Sequence, residues 1–125
     1  MNINTVEIDR ILEQLALQDA YRFNAYQISA LVGEKDVDLV NKYLMFKAHF
    51  GVLEAIIEFL CPNNDPDFQI ILGKETPSGI RECRICDKEY TPDLDYSHIV
   101  FYFKRTYIED LKKKDRVPLR EKQAI

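Results

Sequence analysis

Along the first fifty residues the apolar positions recur at helical spacing, and from residue 52 onward they alternate. Ile8, Ile11, Leu12 and Leu15 fall at i, i+3, i+4 and i+7 behind Asn4-Thr5-Val6-Glu7, which reads as a capping box. The pattern predicts an amphipathic helix ending near Asp19. Asn24 with Gln27 three residues later makes a second capping box, and Phe23 facing Ile28 makes a hydrophobic staple across it. Ile28, Leu31 and Val32 form that helix's stripe, and Gly33 stops it. Asp36 caps a third helix carrying Val37, Val40, Tyr43, Leu44 and Phe46 toward a second stop at Gly51.

The period then changes. Leu53, Ala55, Ile57 and Phe59 alternate with Val52, Glu54, Ile56 and Glu58, predicting a strand, and Phe68 to Leu72 predicts its returning partner beyond the turn sequence Cys61-Pro62-Asn63-Asn64-Asp65-Pro66. Short strands are expected at Arg81–Cys83, Glu89–Thr91 and His98–Phe103, with a turn at Pro92-Asp93-Leu94-Asp95. Thr106-Tyr107-Ile108-Glu109 reads as a further capping box opening a short C-terminal helix that frays past Pro118.

Helix, helix, three-residue turn, helix and hairpin is the order of a winged helix-turn-helix. The residues QISALVG, DVDLVNKYLMFKAHFG and VLEAIIEFL carry this resemblance, with Gly51-Val52-Leu53 matching the GxL step from third helix to first wing strand. The resemblance spans residues 24–72 and implies a fold rather than an activity. The fold class expected is α+β: a three-helix winged-helix-like unit with a β-hairpin wing over 1–72, a small antiparallel zinc-ribbon-like β unit over 73–105, and a short C-terminal helix within a basic tail, 106–125.

The zinc-ribbon expectation rests on the cysteines. Cys83-Arg84-Ile85-Cys86 is a CxxC turn, which brings two thiolates to one point as half of a tetrahedral zinc site. Upstream, Cys61-Pro62-Asn63-Asn64 has the form of the other half, with Asn64 standing where its second cysteine belongs. The 18 residues between Asn64 and Cys83 fit the ribbon spacing of about 15 to 20. Asp65, His98 from the following strand, or a water would have to complete the site. With the histidine, the candidate ligands are Cys61, Cys83, Cys86 and His98, and the expected cofactor is zinc. The alternative is a metal-free remnant whose cysteines are packing residues. A thioredoxin-like pair is disfavoured because no βαβ pattern surrounds the motif.

Composition adds limits. The chain of 125 residues holds 14 Phe plus Tyr against nine Gly plus Pro, which excludes fibrous and disordered classes. No apolar run exceeds five residues, so no segment reaches the roughly 18 needed to span a bilayer as a helix. The first residues do not resemble a secretory signal, and three cysteines in a cytoplasmic protein would stay reduced; a cytoplasmic location is expected.

The net charge of −4 is unevenly distributed: residues 1–103 carry −8 and residues 104–125 carry +4. That split bears on what the third helix does. In a DNA reader its first turns enter the major groove, yet here the residues are Glu34, Lys35, Asp36, Asp38 and Asn41, three of them carboxylates, and the wing tip holds two aspartates and no base. The expected function is therefore a non-catalytic adaptor or accessory subunit that docks a protein partner. The alternative is a DNA-binding transcriptional regulator using the basic run Lys112, Lys113, Lys114. Candidate docking surfaces are Tyr21 and Tyr26 beside the second helix, and the outward face of the last strand at Tyr102. If that aromatic strand lies at an edge, it also invites a homodimer. No phosphate loop, nucleophile elbow or zinc-protease motif is present, so no catalytic residue is assigned.

Overall fold

The computed structural model describes residues 3–20 and 22–116. Ten elements follow in order: α1 (Thr5–Leu17), β1 (Arg22–Phe23), α2 (Ala25–Val32), α3 (Val37–His49), β2 (Leu53–Leu60), β3 (Pro66–Ile71), β4 (Arg81–Glu82), β5 (Glu89–Tyr90), β6 (Ser97–Phe103) and α4 (Arg105–Arg116). A single 3-10 turn, Leu94–Tyr96, precedes β6. The protein is α+β.

The helix starts follow their caps. The Asn4 side chain accepts the Glu7 N–H at 3.1 Å, but the Glu7 carboxylate turns to Arg10 rather than back to the cap, so only half of that box forms. At α2 both halves form, each at 2.9 Å between Asn24 and Gln27. Gly33 ends α2 at φ 71°, in the left-handed region that favours glycine. Asp36 accepts the Leu39 N–H at 3.2 Å and opens α3.

β1, β6, β2 and β3 form one antiparallel sheet in that order, and β4 and β5 form a separate hairpin. One face of the large sheet is covered by helices. Ile8, Leu12 and Ala16 of α1, Ile28 of α2, and Val40 and Leu44 of α3 pack with Phe23, Leu53, Ala55, Phe101 and Phe103 in a single core. Burying each large side chain contributes roughly 1.5–3 kcal/mol relative to exposure. Phe23 anchors β1 by lying 5.0 Å from Phe103 and 5.9 Å from Phe101, centroid to centroid.

The returning strand pairs as the alternation predicts, Phe59 opposite Phe68 and Ile57 opposite Ile70. The position of β6 differs from expectation. It lies inside the sheet, paired with β2 from Leu53↔Phe103 to Phe59↔Ser97 and with β1 at Phe101 and Tyr102. Its apolar face, Ile99, Phe101 and Phe103, is core beneath the helices, so it is not the free edge on which a homodimer was expected. The same pairing ties residues 97–103 into the sheet of the first 72 residues.

α4 also begins differently. It starts at Arg105, ahead of the Thr106 capping box, and the Lys104 carbonyl accepts the Ile108 N–H at 3.1 Å. Leu111 is buried, and Tyr107 and Ile108 pack against the same core, so the first part of the basic tail belongs to the fold. Residues 117–125 lie outside the described residues, as does Tyr21.

Candidate metal centre

Two similar turns build the site. At the end of β2 the Cys61 carbonyl accepts the Asn64 N–H at 2.8 Å, and the Cys61 N–H reaches the Asp65 carbonyl at 3.0 Å. Asn64 sits at φ 62°, a left-handed position that asparagine tolerates better than most residues. After β4 the Cys83 carbonyl accepts the Asp87 N–H at 2.9 Å, the Cys83 N–H reaches the Lys88 carbonyl at 3.0 Å, and Asp87 takes φ 63°. Each turn presents two side chains toward the other turn: Cys61 and Asp65 from the first, Cys83 and Cys86 from the second.

The ligand atoms of these four residues all lie within 4.8 Å of one another. Cys61 Sγ is 3.5 Å from Cys86 Sγ and 3.8 Å from Asp65 Oδ2. A tetrahedral zinc with ligand bonds of about 2.0–2.3 Å requires ligand atoms roughly 3.3–3.8 Å apart, so these separations meet the requirement and the widest need contract by about 1 Å. Among the described residues this is the one convergence of three or more Cys, His, Asp or Glu side chains arranged to hold an ion. Cys61 and Cys83 are buried, Cys86 and Asp65 half-buried.

The thiols are not equivalent. Burial pushes the Cys61 thiol up. Burial acts on Cys83 in the same sense, but the N–H groups of Cys86 and Ile85 and the adjoining Cys61 and Cys86 thiols outweigh it and hold Cys83 below its ordinary value. The Ile85 N–H points at Cys83 Sγ from 3.4 Å, the arrangement that stabilises a thiolate ligand.

His98 is elsewhere. It stands opposite Glu58 in the β2–β6 ladder, on the sheet face turned away from the helices, and its Nε2 lies 2.8 Å from Glu58 Oε1. Glu58 is buried and also holds Arg22 and Gln69, the latter at 2.9 Å. Gln69 donates in turn to the Tyr102 hydroxyl at 2.7 Å, so Tyr102 is engaged in the same network. The carboxylate that stands beside the three cysteines is that of Asp65, one residue past the left-handed Asn64.

A residue that the sequence reading did not single out holds the second turn in place. Asp67, completely buried, accepts the Arg84 N–H at 2.9 Å and the Arg81 Nε at 2.7 Å, and Tyr90 donates its hydroxyl to the same carboxylate. Arg81 also lies 4.1 Å above the Phe68 ring. Burial alone would raise the Asp67 carboxyl, but these donors outweigh it and hold it below the ordinary range. Burial, followed by the hydrogen bond to the same carboxylate, pushes Tyr90 well above the usual phenol. In the sequence Asp67 looks like one more acid at a turn; Arg81 and Arg84 beside the CxxC were the signal of its counter-charges.

The remaining candidates sit on the outside. Lys112 pairs with Asp19 at 3.1 Å, while Lys113 and Lys114 are exposed. Tyr26 is exposed on α2. On α3, Asp36 is occupied as the cap, Lys47 pairs with Asp9 at 3.3 Å, and Phe46 and Phe50 project into solvent at 53% and 65% exposure. Tyr43, Phe46 and Phe50 form a continuous ridge, with centroids 6.1 and 4.6 Å apart, and His49 packs edge-on against Phe50. No helix is long and apolar enough to cross a membrane among the described residues. No protein-family model, curated protein or solved structure matches the chain.

Proposed function

We propose that the chain is a zinc-stabilised, winged-helix-like docking protein: a non-catalytic adaptor or accessory subunit of the cytoplasm. Cys61, Asp65, Cys83 and Cys86 would hold the ion. Four protein ligands, two of them buried, leave no coordination position for substrate, which is the pattern of a structural rather than a catalytic zinc. The ion would join the end of β2 to the β4–β5 hairpin and contribute to folding directly.

The observation that carries the docking reading is the solvent face of α3. In the helix that a winged-helix DNA reader would insert in the groove, the approach and first turn here carry Glu34, Lys35, Asp36 and Asp38, and the far end displays Phe46 and Phe50. Carboxylates oppose a phosphate backbone, whereas adjacent exposed aromatics are what protein interfaces bury at their centres. The test is affinity capture with the wild-type chain and with the double variant Phe46→Ala, Phe50→Ala. A specific protein retained by the first and lost by the second, with no salt-dependent mobility shift of random duplex DNA, supports docking. A shift abolished by replacing Lys112, Lys113 and Lys114 with glutamate would favour the DNA-binding reading instead.

A further inference from the structure

A second surface on the metal side of the molecule is built for a different kind of contact. Leu60, Pro62, Tyr90, Thr91, Asp93 and Tyr96 line a cleft of about 380 Å³. Its walls come from both turns of the metal centre: Leu60 and Pro62 flank Cys61, and Tyr90 and Thr91 follow the second turn through β5. The third wall is the 3-10 turn. Pockets of roughly 300 Å³ and above suit a small ligand or an inserted side chain.

The lining has a definite chemistry. Tyr90 is fixed, because its hydroxyl is committed to buried Asp67, and its ring is left as a wall. Tyr96 is 61% exposed and supplies a second ring. Asp93 caps the 3-10 turn through one carboxylate oxygen, which accepts the Asp95 N–H at 2.9 Å, and so its charge is held at the cleft. Among the described residues Asp93 has no salt-bridge partner. Aromatic faces beside an unneutralised carboxylate attract a cation with an apolar stem, and Leu60 and Pro62 suit the stem.

We propose that this cleft binds a lysine side chain presented by a basic segment of a partner protein. The net charge of −8 over residues 1–103 favours the approach of such a segment in general, and at the cleft itself Tyr90, Tyr96 and Asp93 select its ammonium group. The source of the lysine rests on the docking reading above; the cation site itself does not.

The probe is a short capped peptide, acetyl-Ala-Lys-Ala-amide, titrated into the zinc-loaded full chain and followed by amide NMR shifts. The matched peptide with Nε-acetyl-lysine is the control, since acetylation removes the charge and keeps the stem. Saturable shifts at Leu60, Thr91 and Tyr96 with the lysine peptide, at least about fivefold weaker with the control, support the site. Tyr96→Ala and Asp93→Asn should each weaken binding about two- to fivefold with the folded spectrum otherwise retained. Equal responses to both peptides, no response, or shifts centred on α3 overturn it. Because the titration needs no docking partner, failure here with partner capture by Phe46 and Phe50 intact removes the lysine site and leaves the docking reading in place.

Discussion

Glu58 on β2 and His98 on β6 face each other across the sheet with 2.8 Å between carboxylate and imidazole. Burial would raise the Glu58 carboxyl, but Arg22, Gln69 and His98 outweigh it and hold it below the ordinary 4.5. A carboxyl whose pKa folding lowers stabilises the protein fully above its unfolded value and loses that contribution as pH falls through the folded one. Glu58→Gln should therefore cost roughly 1–3 kcal/mol at neutral pH. The gap between variant and wild type should narrow below about pH 4.5 in thermal melts. A gap independent of pH would show that the charge of Glu58 is not what stabilises the network.

The metal centre makes a residue-specific prediction. Asp65→Asn should lower zinc affinity at least about tenfold, as loss of a ligand does, while His98→Asn should leave zinc content near one ion per chain. The check is metal analysis after dialysis against a competing chelator. The reverse ranking of the two variants would return the fourth position to His98.

Zinc removal should cost stability that grows with the logarithm of free zinc over its dissociation constant. At free zinc about a thousandfold above its dissociation constant the ion contributes about 4 kcal/mol, and chelation or Cys83→Ser should remove that amount. Denaturant titration with and without chelator measures it. No change on chelation would mean that the cysteines act only as packing groups.

Asp67 should be a sensitive position outside the helical core. Asp67→Ala leaves the partly exposed Arg81 and Arg84 solvated but strips the Arg84 N–H and the Tyr90 hydroxyl of their acceptor, so a cost of about 1–3 kcal/mol is expected, with zinc affinity falling as the second turn loosens. Tyr90→Phe removes one donor of several and should cost about 1 kcal/mol while leaving a ring in the lysine cleft. Urea unfolding of the two variants separates these outcomes.

Leu111→Ala should destabilise by about 2–5 kcal/mol, whereas Lys113→Ala and Lys114→Ala should stay within about 0.5 kcal/mol. Thermal melts of the three variants test whether α4 is core or appendage. Deleting everything after Arg105 removes buried Leu111 together with the lysines, so charge reversal is the cleaner probe of the basic run.

How far the chain could be read depends on the range of the interactions involved. The caps at Asn24, Asp36 and Gly33 act within a few residues and were legible in full. β1 was not, because two residues carry no alternation; Arg22 and Phe23 become a strand only by pairing with Tyr102 and Phe101 far along the chain. The CxxC and its distant half-site were legible from spacing. That Asp65 lies beside the cysteines while His98 is engaged by buried Glu58 is a matter of long-range packing that no periodicity shows.

The interior position of β6 governs the order in which this protein can fold. β2 has β3 available soon after it is made, but its other edge, and all of β1, wait for residues 97–103. Closing the sheet spans pairings such as Leu53 with Phe103 and Arg22 with Tyr102, separations that make loop closure slow. During synthesis the helices come first, and Leu53 and Ala55 of β2 give them only part of a floor until Phe101 and Phe103 follow. A metal that draws Cys61 to Cys83 and Cys86 would shorten the loop that has to close, leaving residues 87–96 between the joined turns and β6.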